Sequence, residues 1–401
     1  MTGPAVPTGT SAPARARTLC GGRLGAVPTV AVRSPGRVNL VGEHTDYNDG
    51  LAMPMAIDRE LAIVAAPRND GVVRLVSELD DVVHEVTVDS IAGDDRWPSW
   101  TLYVQGVLRQ VPPDWWTGFD AGVASDVPDG AGLSSSAALE VAVARIAAAL
   151  AGGQYDPRAA AAMGVVAENE WVGVATGVLD QLSVACGVAG HALMLDCRDH
   201  SIEPVRLPHD VEVLVLDTGA RRELVESEYT ARRRDCEAAA EALDVESLRE
   251  VEDRWGSDDS AWWTAVPGWA ELPDRLQRRV RHIITENARV RAVGAAFRNG
   301  DSARAGALWT ASHVSLRDDY DVSGPELDTM AAIADDTPGV LGARMTGGGF
   351  AGAVVALARR GQVDVEALLG AYRSRHDLPA SALVVEGVAG TSMVAGSRDP
   401  A

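Results

Sequence analysis

Residues 127 to 150 read VPDGAGLSSSAALEVAVARIAAAL, and this stretch constrains the fold more than any other. Gly130, Ala131 and Gly132 lead through Leu133 to Ser134, Ser135 and Ser136, and a long Ala/Val/Leu/Ile pattern follows at once. A small-residue loop therefore empties into the N-terminus of a helix. Backbone N–H groups there lack intrahelical partners, and the helix dipole turns its positive end toward the loop, so the segment suits a phosphate. The serines could cap the helix, bind phosphate oxygens, or hold a metal that bridges phosphates. A plain capping turn would look the same in isolation. The loop lacks GxxxxGK[ST], so it is no Walker P-loop. The chain also contains no lysine, and all 36 of its basic residues are arginine. Any phosphate is met here by backbone amides, hydroxyls, a metal ion and arginine.

At 401 residues the chain can bury a sizeable core, in one large or two medium domains. Its 57 acidic residues against 36 basic ones argue against nucleic acid or an anionic membrane as the main partner. Cys20, Cys186, Cys197 and Cys236 show neither CxxC pairing nor zinc spacing, and read as reduced, mostly buried thiols of a cytoplasmic protein. No apolar run reaches the ~20 residues that a membrane span needs. Residues 1–28, rich in Pro, Gly, Ala and Thr, are expected to form a disordered tail and not a signal peptide.

Alternation and turn punctuation predict strands at 29–35, 51–58, 61–68, 71–78 and 82–90, a largely antiparallel opening. A helix at 100–111 and a strand at 118–128 precede the serine loop. Helices follow at 134–151, 157–171 and 178–187, then a strand at 191–198. The apolar strand VEVLVLDTG (211–219) opens a second half with helices at 230–243, 273–298 and 301–315. Four tryptophans between 254 and 270 read as a packed loop, with a binding surface as the alternative. No internal repeat is present. The order predicts an α+β protein with domains at 29–205 and 206–401.

The segment SPGRVNLVGEHTDYNDG (34–50) packs Arg37, Asn39, Glu43, His44, Asp46, Tyr47 and Asn48 between two strands. A solvated loop would account for its polarity. Carboxylates beside His and Asn also suit recognition of several sugar hydroxyls, each of which donates and accepts. Arg37 could be a simple ion pair, or could face charge developing on a phosphoryl group. Glu168, late in a helix, and Asp180, at a helix start, offer carboxylates of the kind that Mg–ATP needs beside a serine hydroxyl. A second glycine cluster, MTGGGF (345–350), is either a hairpin turn or a loop packed against the site.

At this point the motifs resemble a known family. GRVNLVGEHTDYNDG resembles the galactokinase signature near the N-terminus. PDGAGLSSSAALEVA is similar to the second motif of the superfamily uniting galactokinase, homoserine kinase, mevalonate kinase and phosphomevalonate kinase, and GARMTGGGFAGAVVAL to its third. WTLYVQGV, GVLDQLSVACGVAGHALMLDCR, ESEYTARRRDCE and SHVSLRDDYDVSGPELD are further galactokinase-like stretches, so the resemblance spans about residues 29–358. It implies an N-terminal domain like domain 2 of ribosomal protein S5, a ferredoxin-like C-terminal domain, and an active site in the cleft between them. It also implies transfer of the ATP γ-phosphoryl group to the C1 hydroxyl of galactose by a monomer, with Mg²⁺ as cofactor.

By motif position the resemblance makes Asp180 the catalytic base and gives Arg37 the transferring phosphoryl group. Glu43, His44, Thr45, Asp46, Gly177 and Tyr229 would hold the sugar. Gly130, Ala131, Gly132, Leu133, Ser134, Ser135 and Ser136 would cradle the triphosphate, with Ser77 near the nucleotide. Ser136 and Glu168 would bind Mg²⁺. Ala351 stands where the family commonly has glycine, Gly324 where cysteine is frequent, and Arg221 and Arg222 lie in a variable stretch to which no contacts are transferred. The alternatives are a kinase for N-acetylgalactosamine or arabinose, and a non-catalytic galactose sensor. The intact EHTDY run favours galactose, and the retained serines and Asp180 favour catalysis.

Overall fold

The computed structural model describes residues 10–93, 95–112, 118–128, 130–174, 176–221, 225–256, 261–395 and 397, with backbone alone at 225–227. The first lobe is built on a six-stranded sheet. From one edge to the other its strands are Ser392–Met393, Val30–Asn39, Pro54–Pro67, Phe119–Ser125, Val72–Ser77 and Val83–Thr87. The strands expected at 51–58 and 61–68 largely merge into a single long strand. Pro54–Pro67 runs straight through Asp58, Arg59 and Glu60, which turn polar atoms outward at mid-strand. A register shift opposite them, between Pro35 and Gly36, absorbs the irregularity. Pairing is antiparallel apart from Val72–Ser77 on Phe119–Ser125, which is parallel and requires a crossover. The helices Val88–Ile91 and Thr101–Leu108 lie within that crossover.

Helices Ser135–Ala151 and Pro157–Val166 join the sheet in one core. Ala137, Ala138, Val141 and Ala142 have almost no exposed surface, because the alanine-rich face lets backbone approach backbone. The serine-loop helix is thereby held rigidly under its loop.

The expected disordered tail is corrected over Ala12–Leu24, which forms a helix. Pro in its first turn and left-handed Gly25 after its end frame it. Its packing face is small, with Ala12, Ala16 and Cys20 fully buried against the sheet. Arg15 anchors it through Glu78 at 2.8 Å and Asp126 at 2.9 Å. The expectation for residues 1–9 falls outside the described residues.

The second lobe has four antiparallel strands in the spatial order Val340–Thr346, Ala353–Arg359, Val211–Asp217 and Ser381–Val385. In chain order these are strands two, three, one and four of a βαββαβ unit, the ferredoxin-like arrangement. The tryptophan segment belongs to this lobe's core, where Trp262 and Trp269 are buried with Leu272 and Leu276. A small sheet of Leu51–Ala52, His191–Asp196 and Ile202–Arg206 lies beside the long helix Asp274–Arg298. The chain end corrects the expected C-terminal domain. After Ser381–Val385 it returns to the first lobe, bonding Val388 N–H to Ala56 O and pairing Ser392–Met393 with the strand Val30–Asn39. Among the described residues no helix is long and apolar enough to cross a membrane.

Candidate active site

Where the strand Val30–Asn39 ends, the loop to Leu51 rises between the lobes and meets the serine loop, the helix Leu179–Cys186 and the glycine turn after Val340–Thr346. All of these except the serine loop line an open cavity of about 530 Å³, counted with space open to solvent, and the serine loop joins it through Arg37 and Asp180. Its walls carry Arg37, Glu43, His44, Asp46, Gly177, Asp180 and Tyr229, seven of the residues expected to act on the sugar or the phosphoryl group.

Asp180 stands in the first turn of the helix Leu179–Cys186. Its Oδ1 accepts from Arg37 Nε at 2.7 Å and lies 2.6 Å from Arg37 Nη2, while Oδ2 accepts from Ser134 Oγ at 2.5 Å. Arg37 also donates to Gly132 O at 2.6 Å, and its own N–H bonds Leu133 O at 3.1 Å. Arg37 thus ties the serine loop to the carboxylate beside the pocket. Ser134 can aim at Asp180 because it adopts the left-handed region, with φ 60°. It is an unusual conformation for a non-glycine residue, and it falls just before the helix Ser135–Ala151.

Glu43 is buried. Its Oε1 accepts from Gly347 N–H at 2.5 Å and Thr346 Oγ1 at 3.0 Å, and its Oε2 bonds Asn39 Nδ2. Burial raises its pKa to about 7, against the opposing charge of Arg344. Asp46 is raised to about 6, first by burial and then by the nearby Asp180 charge. Gly177 explains how Asp46 fits: a Cβ there would stand 2.0 Å from Asp46 Oδ2. Tyr229 and His44 form an aromatic wall, their ring centroids 5.2 Å apart. Thr45 is the exception among the expected sugar ligands. It is fully buried and its hydroxyl is committed to Gly42 O at 3.0 Å and Leu51 O at 2.8 Å, which closes the loop on itself.

The glycines of the serine loop take the conformation that glycine favours, and Ser134 departs from its residue type. Gly130, Gly132 and Ser134 all take positive φ, and Ala131 and Leu133 pin the loop by burial. Ser135 and Ser136 open the helix. Ser77 ends its strand, and its hydroxyl accepts from Leu79 N–H at 3.2 Å within its own turn. Arg221, which sequence reasoning set aside, lies beside this loop: a Cβ on Gly130 would come 3.2 Å from its Nε.

Glu168 occupies a π-helical turn, Ala167–Val172, that continues the helix Pro157–Val166. The wider turn departs from the regular helix expected there and is a form often found at functional sites. Its Oε2 accepts from Thr176 Oγ1 at 2.6 Å and Gln181 Nε2 at 2.9 Å. Burial raises its pKa, partly offset by hydrogen bonds from Thr176 and Ser136. Gln181 also donates to Glu140 Oε2 at 3.0 Å, a wholly buried carboxyl that sequence reasoning missed. Ser136 and Glu168 therefore present hard oxygen donors side by side, which fits Mg²⁺ in a site completed by phosphate and water oxygens. Among the described residues no group of three or more His, Cys, Asp or Glu could hold a metal by itself.

The galactokinase galactose-binding signature matches residues 23–67, the GHMP kinases N terminal domain residues 102–188, and the GHMP kinases C terminal domain residues 295–374. The galactokinase of Chloroflexus aurantiacus is 42% identical over 388 residues, covering 94% of this chain and 96% of the relative. The chain belongs to the galactokinase family. The galactokinase of a Roseiflexus species is likewise 42% identical, over 88% of both chains. The structure of Lactococcus lactis galactokinase complexed with galactose superposes with a TM-score of 0.82 at 33% identity, covering 91% of this chain and 95% of that one. Methanococcus jannaschii mevalonate kinase shares the fold alone, with a TM-score of 0.64 at 16% identity over 90% and 98% of the chains. As a galactokinase the chain is an enzyme that phosphorylates galactose at the expense of ATP.

Proposed function

We propose that this cavity binds galactose against Glu43, Asp46, Gly177 and Tyr229, and that the γ-phosphoryl group of ATP passes there to the sugar C1 hydroxyl. The observation that carries the reading is the Arg37–Asp180–Ser134 junction, which joins a sugar-sized polar pocket to a phosphate-type loop. Asp180 acts as base and orienter. Its Oδ1 faces two arginine nitrogens, whereas Oδ2 accepts from Ser134 and, among the described residues, keeps a lone pair for the C1 hydroxyl. As the O–P bond forms, the bond from the γ-phosphorus to the β–γ bridging oxygen breaks and ADP leaves, and the hydroxyl proton passes to the carboxylate. Little base strength is needed, because phosphoryl transfer depends mainly on positioning and charge stabilisation.

Arg37 plays two parts. It holds Asp180 in place, and its guanidinium stands where charge develops on the transferring group. The loop from Gly130 to Ser136 supplies amides and the helix N-terminus for the triphosphate, with Ser77 near the nucleotide. Ser136 and Glu168 would hold Mg²⁺, which when bound neutralises phosphate charge. We propose that the enzyme acts as a monomer, for which a cavity lined within one chain suffices. Four free thiols suit a reducing compartment, and we place it in the cytoplasm.

Turnover with galactose, N-acetylgalactosamine, arabinose and glucose, read as both ADP and sugar phosphate, tests this reading. Galactose is expected to be the strongest substrate and to give the 1-phosphate. Asp180→Asn is expected to lower kcat at least about a hundredfold while galactose still binds. A kcat within about threefold of the unchanged enzyme would refute the base assignment.

A further inference from the structure

His44 has a role that its place in the sugar loop does not reveal. Both ring nitrogens are taken by protein atoms: Nε2 lies 3.2 Å from Gly348 O and Nδ1 lies 2.8 Å from Tyr47 Oη. Beyond Tyr47 the contacts continue inward. Tyr47 Oη is 2.8 Å from Tyr320 Oη, which is 3.0 Å from Cys236 Sγ. Tyr320 and Cys236 are buried in the second lobe's core, where Tyr47 packs against them. No step of phosphoryl transfer described above uses them.

The direction of this chain follows from counting donors and acceptors. A carbonyl oxygen only accepts, so His44 Nε2 carries the hydrogen. Burial lowers the His44 pKa to about 3, so the ring is neutral and has a single N–H. Nδ1 must then accept, and Tyr47 spends its one O–H there. Tyr320 in turn donates to Tyr47, and the Cys236 S–H donates to Tyr320. One backbone carbonyl therefore orders four hydrogens.

The ends of the chain matter for the sugar pocket. Gly348 follows Gly347, whose N–H donates to Glu43. Cys236 lies on the helix Val225–Ala242, which also presents Tyr229 to the cavity. Phe350 N–H, at the far end of the same glycine turn, bonds Val322 O at 2.6 Å, just beyond Tyr320. We propose that Tyr47, Tyr320 and Cys236 are positioning residues for sugar binding, a one-way hydrogen-bond chain that fixes the His44 ring and, through Gly348, holds the glycine turn against Glu43. The His44 ring nitrogens are then structural, and no sugar hydroxyl bonds to them. The inference rests on the galactose reading of the cavity.

The test compares Tyr47→Phe, Cys236→Ala and Cys236→Ser with the unchanged enzyme. Tyr47→Phe is expected to raise the galactose KM about five- to tenfold, with kcat and the ATP KM within about twofold. Cys236→Ala is expected to raise it about two- to threefold, and Cys236→Ser, which restores a donor, to return it to the original value. Packing alone would make alanine and serine equivalent, and that result would overturn the chain. Nitrogen-15 NMR of histidine-labelled enzyme, with the His44 signal identified by its loss in His44→Gln, reads the tautomer without any of these kinetic variants. An Nε2–H form supports the proposal and an Nδ1–H form overturns it. Failure of the unchanged enzyme to phosphorylate galactose would refute the kinase reading instead, and the tautomer would still decide the chain.

Discussion

Asp46→Asn separates what the sugar pocket costs the fold from what it gives to binding. Asp46 lies within the cavity wall, against Gly177 and near Asp180, and its pKa rises from 3.8 to about 6 through burial and the Asp180 charge. The gap corresponds to about 3 kcal/mol, at about 1.4 kcal/mol per tenfold. Asp46 keeps some contact with water, so a value of about 1–2 kcal/mol is the better expectation. The sign follows from the direction of the shift. Below the unfolded pKa both states are protonated and the carboxyl costs nothing. As pH rises through 4 to 6 the unfolded chain ionises first, so the free enzyme loses stability through that window. Asparagine does not titrate and avoids the loss.

The measurement is the melting temperature of both proteins without sugar between pH 4.5 and 8.5. The variant should gain on the original as pH rises, by about 1–3 °C at pH 8 relative to pH 4.5 for a chain of this size. Any constant offset between Asn and neutral Asp drops out of that comparison. Galactose should meanwhile bind about ten- to a hundredfold more weakly, since a charged acceptor has been lost. Galactose binding near pH 6 should also release protons, as its hydroxyls favour ionised Asp46 and Glu43, and the variant should release fewer. A difference in melting temperature that stays flat across the pH range would refute the reasoning.

Two further outcomes are expected. Gly177→Ala places a methyl 2.0 Å from Asp46 Oδ2, so the galactose KM should rise at least about tenfold with little change in the ATP KM; steady-state kinetics in both substrates checks this. Arg15→Ala removes the anchor of the helix Ala12–Leu24 from Glu78 and Asp126, so it should cost about 1–3 kcal/mol in urea unfolding and leave kcat unchanged.

The sequence announced those parts of the fold whose signals are local. The serine loop was readable because glycines, serines and an apolar helix follow one another within a few residues. The polar segment at 34–50 was readable because so many donors and acceptors need partners that an apolar core lacks, although its first residues continue the strand Val30–Asn39. The helix Ala12–Leu24 was not, since its packing face is made of Ala12, Ala16 and Cys20, and small residues give hardly any hydrophobic periodicity. What admits them is a remote glycine: a Cβ on Gly122 would stand 2.4 Å from Ala16 O. The return of Ser392–Met393 to the first sheet is likewise a long-range pairing without a local signal.

The same distinction separates the residues of the site that were anticipated from those that were not. Their position in the family-like motifs pointed to Asp180, Arg37 and Glu43, which line the cavity. It did not single out Glu140, Gln181, Tyr320 or Arg344, which lie inside the same motifs but take up their buried partners only on folding. Thr45 shows the converse, because a position inside the motif does not fix where a hydroxyl points. The π-helical turns that carry Glu168 and Tyr320 sharpen the point. A π turn has the composition of an ordinary helix, yet it changes which side chains share a face. In this enzyme the chemistry is written in short motifs, while the orientation of its groups is set by buried partners far away in the chain.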